Sequence, residues 1–214
     1  MIEAHCFPKP PRSFVDIGGS SEFGPAPELK AWAIATFIDE NSPLYNEDHE
    51  HLADAKFLFV WSRASIKSKG ARVIGTASTG KQRGGMGAKE FLESFYQDWF
   101  ESEDPEENEG LPDFIITIDA NYVEEASPLA ICALIEHELY HCDVRRDEDG
   151  EPLYIRAQVT YKMRGHDIEE FFGVARRYGA ATVQLMQLKN ILGRSPEVDE
   201  SWAREHVCGC GARV

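Results

Sequence analysis

The segment SPLAICALIEHELYH, residues 127–141, constrains the fold more than any other part of the chain. Ser127 and Pro128 form a strong helix start, because a serine side chain caps free backbone N–H groups and a proline at the first helical position loses no hydrogen bond. Apolar residues then recur at helical spacing as far as His141. The segment therefore predicts a capped helix that carries polar side chains near its carboxyl end.

Two histidines of this helix, His137 and His141, are four residues apart, so both project from one face. This spacing allows two imidazoles to bind one Zn²⁺. Glu138 lies one position round the helix and can reach a metal-bound water without binding the metal. Zinc lowers the pKa of such a water toward ~7, and the glutamate accepts its proton as general base. We predict a zinc site that hydrolyses peptide bonds, rather than a helix whose histidines face solvent.

A third ligand is required, because catalytic zinc is held by three protein ligands and keeps one open position. The downstream stretch RGHDIEEFFGVARRYG offers His166, Glu169 and Glu170. Asp167 and Glu170 have capping-box spacing, so we predict that the start of a helix occupies both. His166, at a predicted strand-to-helix corner, is the favoured third ligand, and Glu169 is the alternative. If His166 binds, Asp167 or Glu170 can instead orient it.

The sequence ALIEHELYHC, followed by GHDIEEFFGVARRYG, resembles the putative phage metallopeptidase family, small zincin-like proteins encoded in phages and prophages. The upstream runs HEHLADAKFLFVW, VIGTAST and DFIITID fit the same family in order, so the resemblance covers about residues 30–185. It implies a zinc-dependent, peptidase-like domain with His137 and His141 as ligands and Glu138 as base. It also marks the HDxEEF segment as a site, and implies a phage or bacterial cytoplasmic setting. The stretch EPLYIRAQVTYKMR between the motifs is less typical and leaves the third ligand open.

Hydrophobic periodicity predicts an α+β fold with segregated elements, in which a small mixed β-sheet packs on helices including the one with the two histidines. The family resemblance implies that this arrangement is zincin-like. DFIITIDA, just before that helix, is predicted to offer its edge to an extended peptide. The predicted strands are KFLFVWS, ARVIGTAST, DFIITIDANYV and EPLYIRAQVTYKM. The predicted helices are PELKAWAIATFIDE, NSPLYNEDHEHLADA from Asn41 or Ser42, AKEFLESFYQDWF, DIEEFFGVARRYG and ATVQLMQLKNILG, the last two ending at Gly179 and Gly193.

Three parts of the chain differ in composition. Residues 1–27 are rich in Pro, Gly and Ser and are predicted to form an extended arm. Residues 28–194 are predicted to be the zincin-like metallopeptidase domain, and residues 195–214 a C-terminal tail with a Cys-x-Cys pair.

The net charge of −15 argues against non-specific binding to nucleic acid or to anionic membranes, which requires a basic surface. The histidine-glutamate motif and the family resemblance instead predict a protein or peptide substrate. The apolar runs are too short for a transmembrane helix, and the N-terminus does not read as a secretion signal. The five cysteines are irregularly spaced, so a reducing cytoplasm is expected and a disulfide framework is not. The sequence does not predict the oligomeric state.

The C-terminal run EHVCGCG places His206, Cys208 and Cys210 close together, which allows a second, structural metal site or a tail with reduced thiols. Cys-x-Cys is tighter than the usual zinc spacing. Completing such a site would require Cys142 or the distant His5–Cys6 pair.

Two upstream histidines, one glycine-containing run and three tyrosines each have a functional and a structural interpretation. His49 and His51 are ordinary helix histidines or, in one case, an outer-shell group of the site. The run GTASTGK fits the phosphate-binding pattern G-x-x-x-x-G-K, but Gln82 follows where Ser or Thr is needed, so a hairpin loop is favoured. Tyr140, Tyr154 and Tyr161 are each candidates to stabilise an oxyanion or are plain structural tyrosines.

A second function class fits the acidic composition and the phage-like setting. It is an interaction protein of the anti-restriction or anti-repressor type, whose zinc is structural or vestigial. Glu138 discriminates between the classes, because a purely structural site does not need it and fills the fourth position with protein.

Overall fold

The computed structural model describes residues 7–15, 22–63, 67–68, 71–80, 112–155 and 158–206. These residues form a mixed α+β arrangement, as predicted. Its helices are α1 (Arg12–Val15), α2 (Pro27–Ala33), α3 (Ala120–Glu125), α4 (Pro128–Tyr140), α5 (Phe172–Tyr178), α6 (Val183–Leu192) and α7 (Glu200–His206). A π-helical turn, Ile34–Ile38, continues α2, and Glu47–Leu52 form a 3₁₀ helix.

The strands are β1 (Phe23–Pro25), β2 (Phe57–Ser62), β3 (Lys67–Ser68), β4 (Ala71–Arg72), β5 (Gly75–Thr79), β6 (Phe114–Asp119), β7 (Cys142–Val144), β8 (Tyr154–Ile155), β9 (Gln158–Val159) and β10 (Tyr161–Met163). Four of them form a mixed sheet in the order β1-β2-β6-β5. β2 and β6 are parallel, while β1 and β5 pair antiparallel to their neighbours. The other strands form three two-stranded ladders, β7 with β10, β3 with β4 and β8 with β9.

The two central strands supply the core. Both are mostly apolar runs, as expected of strands that are buried on both faces of the sheet. Alternate side chains of the pair share one face of the sheet and are almost fully buried: Phe57, Phe59 and Trp61 on β2, with Phe114, Ile116 and Ile118 on β6. This face packs in one cluster with the apolar side of α4, including Ile131, Ile135 and Leu139. The sheet therefore supports the helix that carries the histidine pair.

The prediction that DFIITIDA offers a free edge is wrong. This run forms β6, which has β2 on one side and β5 on the other. The outermost strand beside α4 is β5, and within the described ranges no strand pairs with its second edge. On the core side, β5 lies against α4, where the side chain of Leu134 is close to Gly75.

Two predicted strands are shorter than expected. In DFIITIDANYV the strand ends at Asp119, whose side chain accepts hydrogen bonds from the backbone N–H groups of Asn121 and Tyr122 and so begins α3. In ARVIGTAST the run is divided between β4 and β5. The single strand predicted over EPLYIRAQVTYKM is instead β8, β9 and β10.

The predicted helix over NSPLYNEDHEHLADA begins later than Asn41 or Ser42. Ser42 makes a turn, in which its hydroxyl donates to the carbonyl of Thr36 and accepts from the N–H of Leu44. Asn46 caps the 3₁₀ helix by accepting from the N–H of Asp48. The predicted helix AKEFLESFYQDWF lies outside the described residues.

The ends of the described chain also contact the core. Phe7 is buried and packs edge-on against Trp32 of α2. At the other end, α7 packs on α4: Ala203 is fully buried, and the Ser127 hydroxyl donates to Glu200 at 2.8 Å. Among the described helices, none has the length and apolar character needed to cross a membrane.

Candidate metal centre

Helix α4 begins as predicted, with Pro128 in its first turn and the Ser127 hydroxyl accepting from the N–H of Ala130. Its apolar side is buried in the core, while His137 is exposed and His141 ends the helix as its C-cap. The two histidines therefore stand at the solvent side of a rigid, core-anchored helix.

The chain returns to this helix end through the ladder of β7 and β10. β7 follows His141 directly, and Cys142 pairs with Met163 at the end of β10. One residue further along, the N–H of Arg164 donates to the carbonyl of His141 at 2.8 Å. The ladder thus brings His166, two residues later, beside the histidines of α4.

The structure brings His137, His141 and His166 together. Each offers one ring nitrogen, and these three atoms lie within 4.8 Å of one another, close enough for the group to hold one metal ion. The Nε2 atoms of His137 and His166 are 3.2 Å apart. Two nitrogens that bind one zinc tetrahedrally at ~2.0–2.1 Å are separated by about 3.3 Å. The spacing of this pair therefore fits two ligands of one ion.

The backbone fixes which nitrogen His141 presents. Its Nδ1 atom lies 2.8 Å from the carbonyl oxygen of Arg164. Because a carbonyl only accepts, Nδ1 carries the proton in this contact and Nε2 is left as the lone-pair donor.

The imidazole of His137 is suited to the neutral form that binds metals. Its pKa is lowered by partial burial and further by the neighbouring His141 and His166 rings. A lowered pKa means less competition from protons when a cation binds.

Glu138 is buried between α4 and β5. Its side chain is 3% exposed, and burial raises its pKa from 4.5 to about 7. The Oε2 atom has no hydrogen-bond partner among the described residues. A carboxyl group with a pKa near neutrality and an uncommitted oxygen is suited to proton transfer.

Gly75 of β5 makes room for that carboxyl group. A Cβ atom built on Gly75 would lie 2.5 Å from Oε1 of Glu138 and 2.9 Å from Cδ1 of Leu134. No other residue fits at this position without moving the glutamate. Sequence reasoning missed this role, because neither the predicted strand ARVIGTAST nor the phosphate-loop pattern that begins at Gly75 shows what this residue packs against.

The loop after β10 does not form the predicted capping box. Helix α5 begins at Phe172, with no side-chain cap. Asp167 instead accepts a hydrogen bond from the Arg164 guanidinium at 2.8 Å, and Glu170 accepts from the N–H of Phe171. Glu169 is exposed and is not a member of the three-histidine group.

A polar network lies on the adjacent face of α4, and sequence reasoning missed most of it. The Asn46 amide donates to Glu136 at 2.7 Å and to the Tyr140 hydroxyl at 3.0 Å. That hydroxyl donates to Asp48 at 2.8 Å. The Arg164 guanidinium lies over the Tyr140 ring, 5.6 Å from its centroid. The Tyr140 hydroxyl is therefore already hydrogen-bonded within this network. In the sequence, the i,i+4 spacing of Tyr140 and Glu136 indicated only that both lie on one face of α4.

The two upstream histidines, His49 and His51, contact Tyr140 of α4 and Cys142 of β7, respectively. His49 is fully buried, packs edge-on against Tyr140 and leaves both ring nitrogens without a hydrogen-bond partner among the described residues. His51 Nε2 contacts the carbonyl of Cys142 at 3.0 Å, next to His141. Neither histidine belongs to the three-histidine group.

The remaining candidates are dispersed. Gly75–Thr79 form a strand, not a phosphate-binding loop and not the hairpin loop that the sequence favoured; Lys81 and Gln82 lie outside the described residues. Tyr161 packs on Phe114, and Tyr154 is exposed.

The C-terminal site stays a prediction. Cys208 and Cys210 lie outside the described residues, and of His206 only the backbone is described, at the end of α7. Cys142 is buried, and burial raises the pKa of its thiol, which opposes the thiolate that a metal needs.

Comparison with known protein families identifies a relationship. Neither a curated protein nor a solved structure matches the chain. The family described as "Putative phage metallopeptidase" matches residues 30–192, which include α4 and the loop that carries His166. The chain therefore belongs to the putative phage metallopeptidase family.

Proposed function

We propose that this protein is a zinc-dependent metallopeptidase with a zincin-like domain over residues 28–194. The observation that carries the proposal is the convergence of three histidine nitrogens beside a buried glutamate whose pKa is near neutrality. The family description supports the same class of activity.

Zinc is the proposed ion because the donor set consists of three imidazoles. Three protein ligands and an open fourth position are typical of catalytic zinc, whereas a structural site is closed by a fourth protein ligand. His137 and His166 are both exposed, which leaves the group open toward solvent. The metal, when bound, supplies a Lewis acid that polarises the substrate carbonyl and acidifies water.

The residues of the chain perform the remaining steps. Glu138 accepts the proton from the attacking water and then donates it to the leaving amine, so that the bond between carbonyl carbon and nitrogen breaks and a new carbon–oxygen bond forms. The carbonyl of Arg164 holds the His141 ring in place. The wall formed by Gly75 and Leu134 keeps water away from one side of Glu138, which is why its carboxyl group is desolvated.

A peptide substrate has a binding edge in β5. This strand is outermost within the described sheet and adjoins Glu138 through Gly75. An extended peptide that adds to the outer edge of this strand would lie alongside Gly75, which adjoins Glu138. We propose a protein or peptide substrate in the cytoplasm of a bacterium or of a phage-infected cell. The net charge of −15 disfavours nucleic acid as a partner.

The test is peptide-library cleavage by the zinc-loaded wild type and by Glu138→Gln, with zinc content measured on both. Glu169→Gln serves as the matched control, since Glu169 is exposed and outside the three-histidine group. We expect cleavage by wild type and Glu169→Gln, and a loss of at least about 10³-fold in Glu138→Gln with zinc retained.

The alternative is an interaction protein of the anti-restriction or anti-repressor type. In that case Glu138→Gln would keep full biological activity. Absence of cleavage by the zinc-loaded wild type across the library, or cleavage that survives in Glu138→Gln, would reject the peptidase mechanism.

A further inference from the structure

The side chain of Arg164 links the loop that carries His166 to the end of α4. Its guanidinium donates a 2.8 Å hydrogen bond to Asp167, the residue that follows His166. The same guanidinium lies over the ring of Tyr140, the residue that precedes His141, 5.6 Å from the ring centroid. One side chain therefore contacts the direct chain neighbours of two candidate metal ligands.

The loop of residues 165–170, which includes His166, has few other restraints. It lies between β10 and α5 and belongs to no helix or strand. None of its backbone groups hydrogen-bonds the backbone of another described residue. Within the described residues, the only side chains that make a hydrogen bond, ion pair or ring contact with this loop are those of Arg164, His137 and His141. The Arg164 guanidinium is therefore well placed to determine where the loop lies.

Tyr140 gives this link a fixed base. Its hydroxyl accepts from the Asn46 amide at 3.0 Å and donates to Asp48 at 2.8 Å. The buried His49 ring packs edge-on against the Tyr140 ring. A guanidinium over an aromatic ring is attracted by the ring quadrupole. Because the ring is held at its hydroxyl and by His49, its contact with the Arg164 guanidinium ties that group to α4.

The backbone and the side chain of Arg164 act separately. Its backbone N–H and carbonyl bond His141 as a continuation of the β7–β10 ladder, and these bonds do not depend on the side chain. The ion pair with Asp167 is exposed, with 42% of the Arg164 side chain and 79% of the Asp167 side chain accessible. Such surface pairs contribute little to the stability of a fold. We therefore expect the side chain to affect the position of the loop and not the global stability.

We propose that the Arg164 guanidinium positions the third ligand of the metal centre. By holding the loop at Asp167 and against the Tyr140 ring, it keeps His166 beside the other two histidines before a metal ion binds. A ligand that is already in place loses less conformational freedom on binding, which raises metal affinity. Arg164 acts through the loop and is thus a positioning residue. The inference rests on the proposed function, because it takes the three histidines as ligands of one zinc ion.

The test is the zinc dissociation constant of the full chain, measured by competition with a chelator of known affinity, so that no substrate is required. Arg164→Gln removes the charge and both side-chain contacts, whereas Arg164→Lys keeps a charge that can pair with Asp167 but has no planar group for the ring. Arg177→Gln is the matched control, because Arg177 also lies over a tyrosine ring, that of Tyr178, at 5.3 Å, and the loss of charge is the same. Urea unfolding of the zinc-free proteins measures their stability.

The sign of the effect separates positioning from simple electrostatics. Removal of a positive charge near a cation site strengthens cation binding by Coulomb's law alone. We expect the opposite for Arg164→Gln, with zinc binding weakened about tenfold, or about 1.4 kcal/mol, the lower end of the effect of groups that orient metal ligands. Arg164→Lys should recover part of this loss. Arg177→Gln should bind zinc within about twofold of wild type, and the stability of all zinc-free variants should be unchanged.

Unchanged or tighter zinc binding by Arg164→Gln, with zinc bound by wild type, would overturn this inference and leave the proposed metal centre intact. Weaker binding accompanied by an equal loss of stability in the zinc-free variant would also overturn it, because the role of Arg164 would then be structural. A wild type that binds no zinc would overturn the inference together with the proposed function.

Discussion

The Nδ1 atom of His141 lies 2.8 Å from the carbonyl oxygen of Arg164, and the N–H of Arg164 donates to the carbonyl of His141. This two-way contact continues the ladder of β7 and β10 onto the end of α4. It sets the tautomer of one imidazole and fixes where the chain leaves toward His166. Two residues that are 23 positions apart therefore determine both the orientation of one ligand and the approach of another.

Substitution of Gly75 by alanine is expected to impair cleavage without removing the metal. The new Cβ atom would lie 2.5 Å from Oε1 of Glu138, so the carboxyl group must move. Displacement of a catalytic group by about 1 Å costs up to ~10²-fold in rate, so we expect kcat to fall 10- to 100-fold.

The matched control is Gly173→Ala, because a Cβ atom at Gly173 meets no atom within 4 Å. Peptide cleavage and zinc content are measured on both variants. Unchanged cleavage in Gly75→Ala would show that the position of Glu138 is not critical.

Removal of the Tyr140 hydroxyl is expected to reduce stability rather than catalysis. This hydroxyl already bonds Asn46 and Asp48, so it is not available to an oxyanion. Tyr140→Phe should lower the free energy of unfolding by about 1 kcal/mol and change kcat less than about threefold. Urea unfolding and steady-state cleavage measure the two effects. A fall of ~10²-fold or more in kcat, with little loss of stability, would instead assign an oxyanion role to Tyr140.

The buried His49 is expected to make the fold sensitive to acid. Burial, reinforced by the nearby His51, lowers the pKa of His49 from 6.5 to about 4. Between these values the unfolded chain binds the proton more readily than the folded one, so stability is lost as the pH falls from 6.5 to 4. The loss attributable to this group is at most about 3 kcal/mol.

His49→Phe tests this prediction, because it keeps an aromatic ring against Tyr140 and removes two ring nitrogens that make no hydrogen bond within the described residues. It also removes the 3.8 Å contact between Nε2 and Oε1 of Glu136. The free energy of unfolding is measured on both proteins at pH values from about 7 to about 4. The difference between variant and wild type should grow in favour of the variant as the pH falls. A constant difference would mean that His49 does not resist protonation in the folded state.

Local signals in the sequence predicted local structure well. Ser127 caps α4 as its sequence context indicates, Gly179 ends α5 with a positive φ of 64°, and the apolar run from Phe57 forms a strand. These features depend on residues within one or two turns of each other, where side-chain chemistry determines the backbone.

The predictions were wrong where contacts between residues far apart in the sequence determine the structure. The composition of DFIITIDA predicts a strand, but it does not show that β5 pairs with this strand on the side opposite β2. That pairing makes it an interior strand of the sheet. Asp167 and Glu170 have capping-box spacing, yet the Arg164 guanidinium binds Asp167 and the helix starts later. The spacing of residues in the sequence predicts neither the pairing of β5 nor the bond from Arg164 to Asp167.

The candidate site divides in the same way. His137, Glu138 and His141 are recognisable because a single helix sets their spacing. The choice between His166 and Glu169 depends on the β7–β10 ladder, which joins residues about twenty positions apart. The structure groups His166 with the helix histidines, and this geometry is the basis for proposing it as the third ligand.

The most direct test of the central claim is elemental analysis of zinc in the purified wild type, His166→Ala and Glu169→Ala after equal reconstitution. The account predicts about one zinc per chain in wild type and in Glu169→Ala, and a loss of most of it in His166→Ala. Wild type that binds no zinc, or zinc that is lost in Glu169→Ala and kept in His166→Ala, would contradict the three-histidine centre.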